Sequence, residues 1–263
     1  RYALLFGIVA AMLFGTHSVI ARYLTSDMHG LQIAVFRLWI ACAAIYLILR
    51  IGRQAAFRFT FDRSILLAIT GFTLKHAVFH IGLEQTTATN AMVLENTAPF
   101  FVLVLLAVAG VERIRSVDVI ATGLALTGVY FTVRHDFDPG AAGGRGDLLE
   151  LAAGLCWALF IIGSSQAMKK TETPLERLAV LFQILFCSAI LLSPGLFLYP
   201  LKATATDFFW LFFLAIVPTA LGYYLWYEAM AGVSTVTAAL LFVLSVVFIF
   251  INASVFLGEA ITA

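Results

Sequence analysis

Nine long apolar runs fill most of this chain. They cover residues 2–24, 30–49, 64–83, 89–110, 116–133, 147–168, 175–198, 207–230 and 235–257. A helix needs about 20 mostly apolar residues to cross a bilayer. The runs are continuous and lack the period-2 alternation of barrel strands. Each therefore predicts a helix, which pairs every backbone polar group internally where no water can. Of 263 residues, 12% are charged, against about 25% in ordinary soluble domains. So little charge cannot coat a water-facing surface. The chain reads as an all-α integral membrane protein surrounded by membrane lipid.

Several function classes drop out on composition. A net charge of +1 without a basic stripe argues against a nucleic-acid partner. Cys42, Cys156 and Cys187 fall inside apolar runs and read as small buried hydrophobes. No phosphate-loop signature points to ATP. No catalytic triad order or zinc pattern is present, so no catalytic residue, metal or cofactor is predicted.

Loop charges predict the direction of insertion. With nine spans, ten of the sixteen Lys and Arg fall in loops on the side of the N-terminus. Four fall on the other side, and Arg37 and Lys75 lie inside spans. The N-terminus is therefore expected in the cytoplasm, in a cell inner membrane.

The two halves resemble each other. "LEQTTATNAMVLENTAPFFVLVLLAVAGVERI" has a counterpart in "AGVSTVTAALLFVLSVVFIFINASVFLGEAI", with Glu112 matching Glu259 at an offset of 147. Val246 then stands opposite Pro99. "AAMLFGTHSVI" resembles "AGLCWALFIIG", with Phe14 opposite Trp157. The first half has an odd number of spans, so the second starts on the opposite face. The expectation is an inverted repeat, a building plan of secondary transporters with the substrate site near mid-membrane. The predicted division is a first five-helix repeat over 1–134, a Gly-rich linker over 135–146 and a second repeat over 147–263. Symmetry predicts a tenth helix after Glu259, missing from this chain.

Taken together, "ENTAPFFVLVLLAVAGVERI", "GDLLELAAGLCWALF" and "PTALGYYLWYEAM" are similar to the EamA-type branch of the drug/metabolite transporter superfamily. The resemblance implies a ten-helix, 5+5 inverted-repeat fold. It also implies alternating access without ATP and export of small metabolites, including amino acids and aromatic ones among them.

Polar and aromatic residues inside the runs mark the expected site. A charge at mid-bilayer is costly and faces a bundle interior or wet cavity. Lys75 and Phe79, like His76 and His80, are four apart and stack on one helix face. At offset 147, His76, Phe79 and His80 correspond to Tyr223, Trp226 and Tyr227. One His-rich and one Tyr/Trp-rich helix would thus flank a central cavity, with His17 and Trp157 as further walls. Glu95 has two candidate partners, Arg37 and Lys75, the latter differing in depth by roughly 6 Å. Such a pair is either structural or exchanged for a charged group of substrate or a proton. Pro99 and Pro218 sit within spans and offer hinge points.

The expected cargo is a small molecule, an amino acid or similar amphipathic metabolite, with aromatic or large apolar ones favoured by the rings. The protein would work as a monomer or homodimer. Two alternatives stand beside this reading. One is a membrane haem or metal enzyme using the His76/His80 spacing. The other is a channel.

Overall fold

A computed structural model of the chain describes residues 2–52, 59–83, 85–86, 88–133 and 144–257. Arg53, Arg58, Glu84, most of the expected linker and Glu259 lie outside the described residues. Eleven α-helices follow one another: α1 (Ala3–Leu24), α2 (Gly30–Ile51), α3 (Arg63–Leu83), α4 (Ala88–Glu95), α5 (Ala98–Ala109), α6 (Ser116–Val133), α7 (Arg145–Met168), α8 (Pro174–Leu192), α9 (Ala205–Leu214), α10 (Gly222–Gly232) and α11 (Thr235–Leu257). No strand occurs among the described residues. Among the described residues, five helical segments are long and apolar enough to cross a membrane: Gly30–Ile51, Arg63–Gly82, Arg145–Met168, Pro174–Phe197 and Ala205–Gly232. Four shorter apolar helices accompany them. Side chains such as Leu47, Val108, Leu124 and Phe212 point outward fully or largely exposed, as lipid contact requires. The chain is a multi-pass membrane protein.

Two predicted spans are interrupted. The fourth breaks at Asn96–Thr97 into α4 and α5, with Pro99 in the first turn of α5. Proline is tolerated there because a first-turn N–H has no intrahelical partner anyway. The eighth runs from α9 through a π-helical turn, Ala215–Leu221, into α10. Pro218 is the cause. It has no N–H to give to the carbonyl of Leu214, four residues back. The widened turn lets the Thr219 hydroxyl donate to Leu214 O at 2.8 Å instead. A freed carbonyl is thereby paired inside the bilayer. The seventh helix, α7, begins at Arg145.

The face with the N-terminus is tied by ion pairs at the end of α7. Lys169 binds Glu112, which also accepts from Thr235. Lys170 binds Asp62 at 2.6 Å and Ser64 at 3.0 Å. Asp62 precedes α3. Its partial burial works against ionisation, but the hydrogen bonds from Lys170, Ser64 and the Ile65 N–H win and hold its carboxyl down at about 2. On the opposite face, Gln32 of α2 donates to Tyr199 O at 2.8 Å. His29 stacks on Tyr199 with centroids 3.6 Å apart.

α7 is the central helix. It crosses α3 antiparallel along a seam of glycines that let the two backbones touch. A Cβ on Gly71 would stand 2.5 Å from Phe160 N and 2.6 Å from Cys156 O. One on Gly163 would stand 2.5 Å from Ala68 N. This close seam sets the relative height of α3 and α7, and so the height of every polar group they carry.

Candidate functional site

At mid-depth, α7 and α10 bring their large rings together. Trp157 of α7 stacks on Trp226 of α10 with centroids 5.7 Å apart and planes 7° from parallel. Phe160 lies 4.7 Å from Trp157, and Phe242 of α11 lies 4.9 Å from it. Tyr223 meets Phe14 of α1 at 5.0 Å and Phe72 of α3 at 5.7 Å. Trp157 is 2% exposed, Trp226 1% and Tyr227 0%. None of the three is therefore a lipid-facing or interfacial ring. Tyr227 places its hydroxyl 3.1 Å from that of Ser164. The indole N–H groups of Trp157 and Trp226 are buried without a hydrogen-bond partner.

A charged cluster sits against this aromatic block, toward the face where α7 begins. Lys75 of α3 binds Glu95, the last residue of α4, at 2.7 Å. Both side chains are nearly buried. The break after Glu95 makes this contact: α4 stops there, so the carboxylate hangs at a helix end beside α3. The Lys75 ammonium also lies 4.5 Å from the Phe79 ring and 5.4 Å from the Trp157 ring. Cation–π contact of this kind holds a cation against an apolar wall. Of the two partners foreseen for Glu95, Lys75 is the one that binds it.

Arg37 of α2 is used differently. Its guanidinium reaches His17 of α1 through Nη1. Through Nη2 it reaches His76 of α3 at 2.7 Å. His76 Nδ1 lies 2.9 Å from Phe72 O, so Nδ1–H donates there and Nε2 accepts from Arg37. Arg37 Nε is buried with no partner. Three helices are thus joined through one guanidinium, which sequence analysis treats only as a rival for Glu95. An intramembrane arginine is signal enough of function or pairing, but its partners lie on other helices.

The four residues of the α3 stripe part company. His76 turns to Arg37 and to the Phe72 ring, 4.4 Å away. Phe79 turns to Lys75. His80 lies against the start of α2, with its ring 6.4 Å from that of His29. A Cβ on Gly30 would meet its Nδ1 at 2.6 Å. His80 is therefore not beside Tyr227, its counterpart by offset. Pro99 borders the Glu95 break, and Pro218 lies in the π turn below Tyr223. Both ring nitrogens of His76 are engaged, which leaves it no lone pair for a metal.

Glu150 of α7 is a further buried carboxyl near Lys75 and Glu95. It stands three residues inside the predicted start of its span, where a charge attracts little notice.

The sequence matches the EamA-like transporter family over residues 1–134 and 144–263. Two relatives from Archaeoglobus fulgidus are described as uncharacterized transporters. One is 28% identical over 183 residues, which is 66% of this chain and 60% of that protein's own length. The chain thus spans about 60% of that relative. The other is 28% identical over 238 residues, 89% of this chain and 80% of the relative. A solved crystal structure shares the fold with a TM-score of 0.84 at 17% identity. It covers 99% of this chain and 90% of its own. The enzyme reading of His76 and His80 is set aside by these matches. The chain belongs to the EamA-like transporter family.

Proposed function

We propose that this protein is a secondary exporter of amino acids with aromatic or large apolar side chains. It works by alternating access between two inverted halves. The observation that carries the reading is the Lys75–Glu95 pair set between ring faces. Glu95 would receive the substrate's ammonium in place of Lys75. The carboxylate would meet Arg37, whose Nε is without a partner. The side chain would lie among Trp157, Tyr223 and Trp226, with Phe79 and His76 at the edge. Aromatic faces suit both an apolar body and a cationic head. His17 positions Arg37, and His80 and Tyr227 support the two ends of the site. Pro99 and Pro218 adjoin the helix breaks on either side and serve as the bending points. The excess of loop Lys and Arg on the N-terminal side supports a cytoplasmic N-terminus in the inner membrane.

Counterflow in proteoliposomes with a panel of labelled amino acids tests this. L-phenylalanine, L-tryptophan and L-leucine should exchange with saturation, and His76→Ala and Tyr223→Ala should impair exchange more than expression. No exchange of any amino acid would refute the substrate. Ionic current in a planar bilayer would replace the carrier with a channel.

A further inference from the structure

Glu150 has a side chain with 0% exposure, and neither of its carboxyl oxygens has a hydrogen-bond partner. It sits against α3, where Gly82 makes room for it. A Cβ at that position would stand 2.6 Å from Oε1 and 3.1 Å from Cδ. The charged groups facing it are Glu95 of α4, Lys75 of α3 and Asp147, one turn away on α7 itself. Two of these three are acidic. The third, Lys75, is held by Glu95 at 2.7 Å. Asp147 is engaged by Thr86 and by Asn90 at 3.1 Å. An ionised carboxylate here would have neither donor nor free cation, and burying such a charge is prohibitive unless it is neutralised.

We propose that Glu150 is a proton-binding site whose proton is exchanged against substrate. This rests on the reading above, in which the substrate's ammonium replaces Lys75 on Glu95. The freed Lys75 ammonium then turns to Glu150. The O–H bond of Glu150 breaks, its electron pair stays on the carboxylate, and the proton passes to water on the face from which substrate has just entered, the cytoplasmic one in export. When substrate leaves on the opposite face, Lys75 returns to Glu95 and Glu150 takes up a proton from that face. One proton moves for each amino acid. Intramembrane carboxyls serve in other transporters as proton relays; here the histidines are not needed for the task.

Infrared difference spectroscopy of the purified full chain in lipid reads this proton without any substrate. Wild type at neutral pH should show a protonated-carboxyl C=O band that both Glu150→Gln and Glu150→Ala lack. A wild-type spectrum without that band overturns the site, whatever transport is found. In proteoliposomes, an imposed pH gradient should raise wild-type accumulation of labelled L-phenylalanine several-fold. Glu150→Gln should accumulate no more with the gradient than without it. Gradient-driven accumulation by Glu150→Gln at the wild-type level, or a wild type indifferent to the gradient, overturns the exchange. The band present with no amino acid transported refutes the substrate reading and supports the proton site.

Discussion

With Glu150 replaced by Gln throughout, so that it cannot take over the ammonium, Glu95→Gln leaves Lys75 buried with no counter-charge, and the cost can be worked from the geometry. At 2.7 Å, two unit charges attract by about 6 kcal/mol for an effective dielectric constant near 20. Desolvation of the two ions takes back several kcal/mol, so the pair itself contributes little net stability. Removing one partner is another matter, because the remaining charge stays buried, at about 3–5 kcal/mol. The Phe79 and Trp157 rings, 4.5 and 5.4 Å from Nζ, offset about 1–2 kcal/mol of that. The expected loss for Glu95→Gln is therefore about 2–3 kcal/mol. Lys75→Met alone should lose more, about 3–5 kcal/mol, because no cation–π contact offsets a stranded carboxylate. The double variant Lys75→Met/Glu95→Gln should be more stable than either single one. Denaturant unfolding of the four proteins in mixed micelles closes the cycle. A coupling energy below about 0.5 kcal/mol would refute the pair as a buried interaction.

Three further outcomes follow from the packing. Gly71→Ala should lower stability by about 1–3 kcal/mol, as overpacking does, because its Cβ meets backbone atoms of α7. Gly123→Ala meets nothing within 4 Å and should be neutral or slightly stabilising in the same thermal melt; equal losses would refute the seam. Thr219→Val should cost about 1 kcal/mol, since it removes the hydroxyl that pairs Leu214 O. An unchanged melting temperature would mean the π turn satisfies that carbonyl without it. Acid should weaken the N-terminal face. The Asp62 carboxyl is held below its ordinary 3.8 at about 2, so its stabilisation is complete above that ordinary value and fades as pH falls toward 2. With a half-exposed side chain the loss is at most about 1 kcal/mol. Asp62→Asn should remove that part of the acid sensitivity, and an identical pH slope in the variant would exclude it.

The helices themselves were decided locally. Continuous apolar runs of bilayer length can satisfy their backbone in lipid only as helices, so the predicted runs fold as helices where described, apart from the break at Asn96–Thr97, the 3-10 turn at Ser193–Phe197 and the π turn at Ala215–Leu221. The unusual depth of Lys75, Glu95 and Arg37 was equally plain, since a charge within such a run is visible one residue at a time. Partnership was not. Helical periodicity says which residues share a face, but not which neighbour that face meets. That depends on rotation and height about each axis. Here the glycine seam of α3 and α7 sets the height, and the break after Glu95 and the π turn at Pro218 set the rotation. Those long-range contacts send Lys75 rather than Arg37 to Glu95. They join His17 and His76 through Arg37, close Trp157 onto Trp226, and leave Glu150 alone beside Gly82. The sequence determined a bundle of membrane helices with charges in its interior; the tertiary structure decided which charges are paired and which one must carry its own proton.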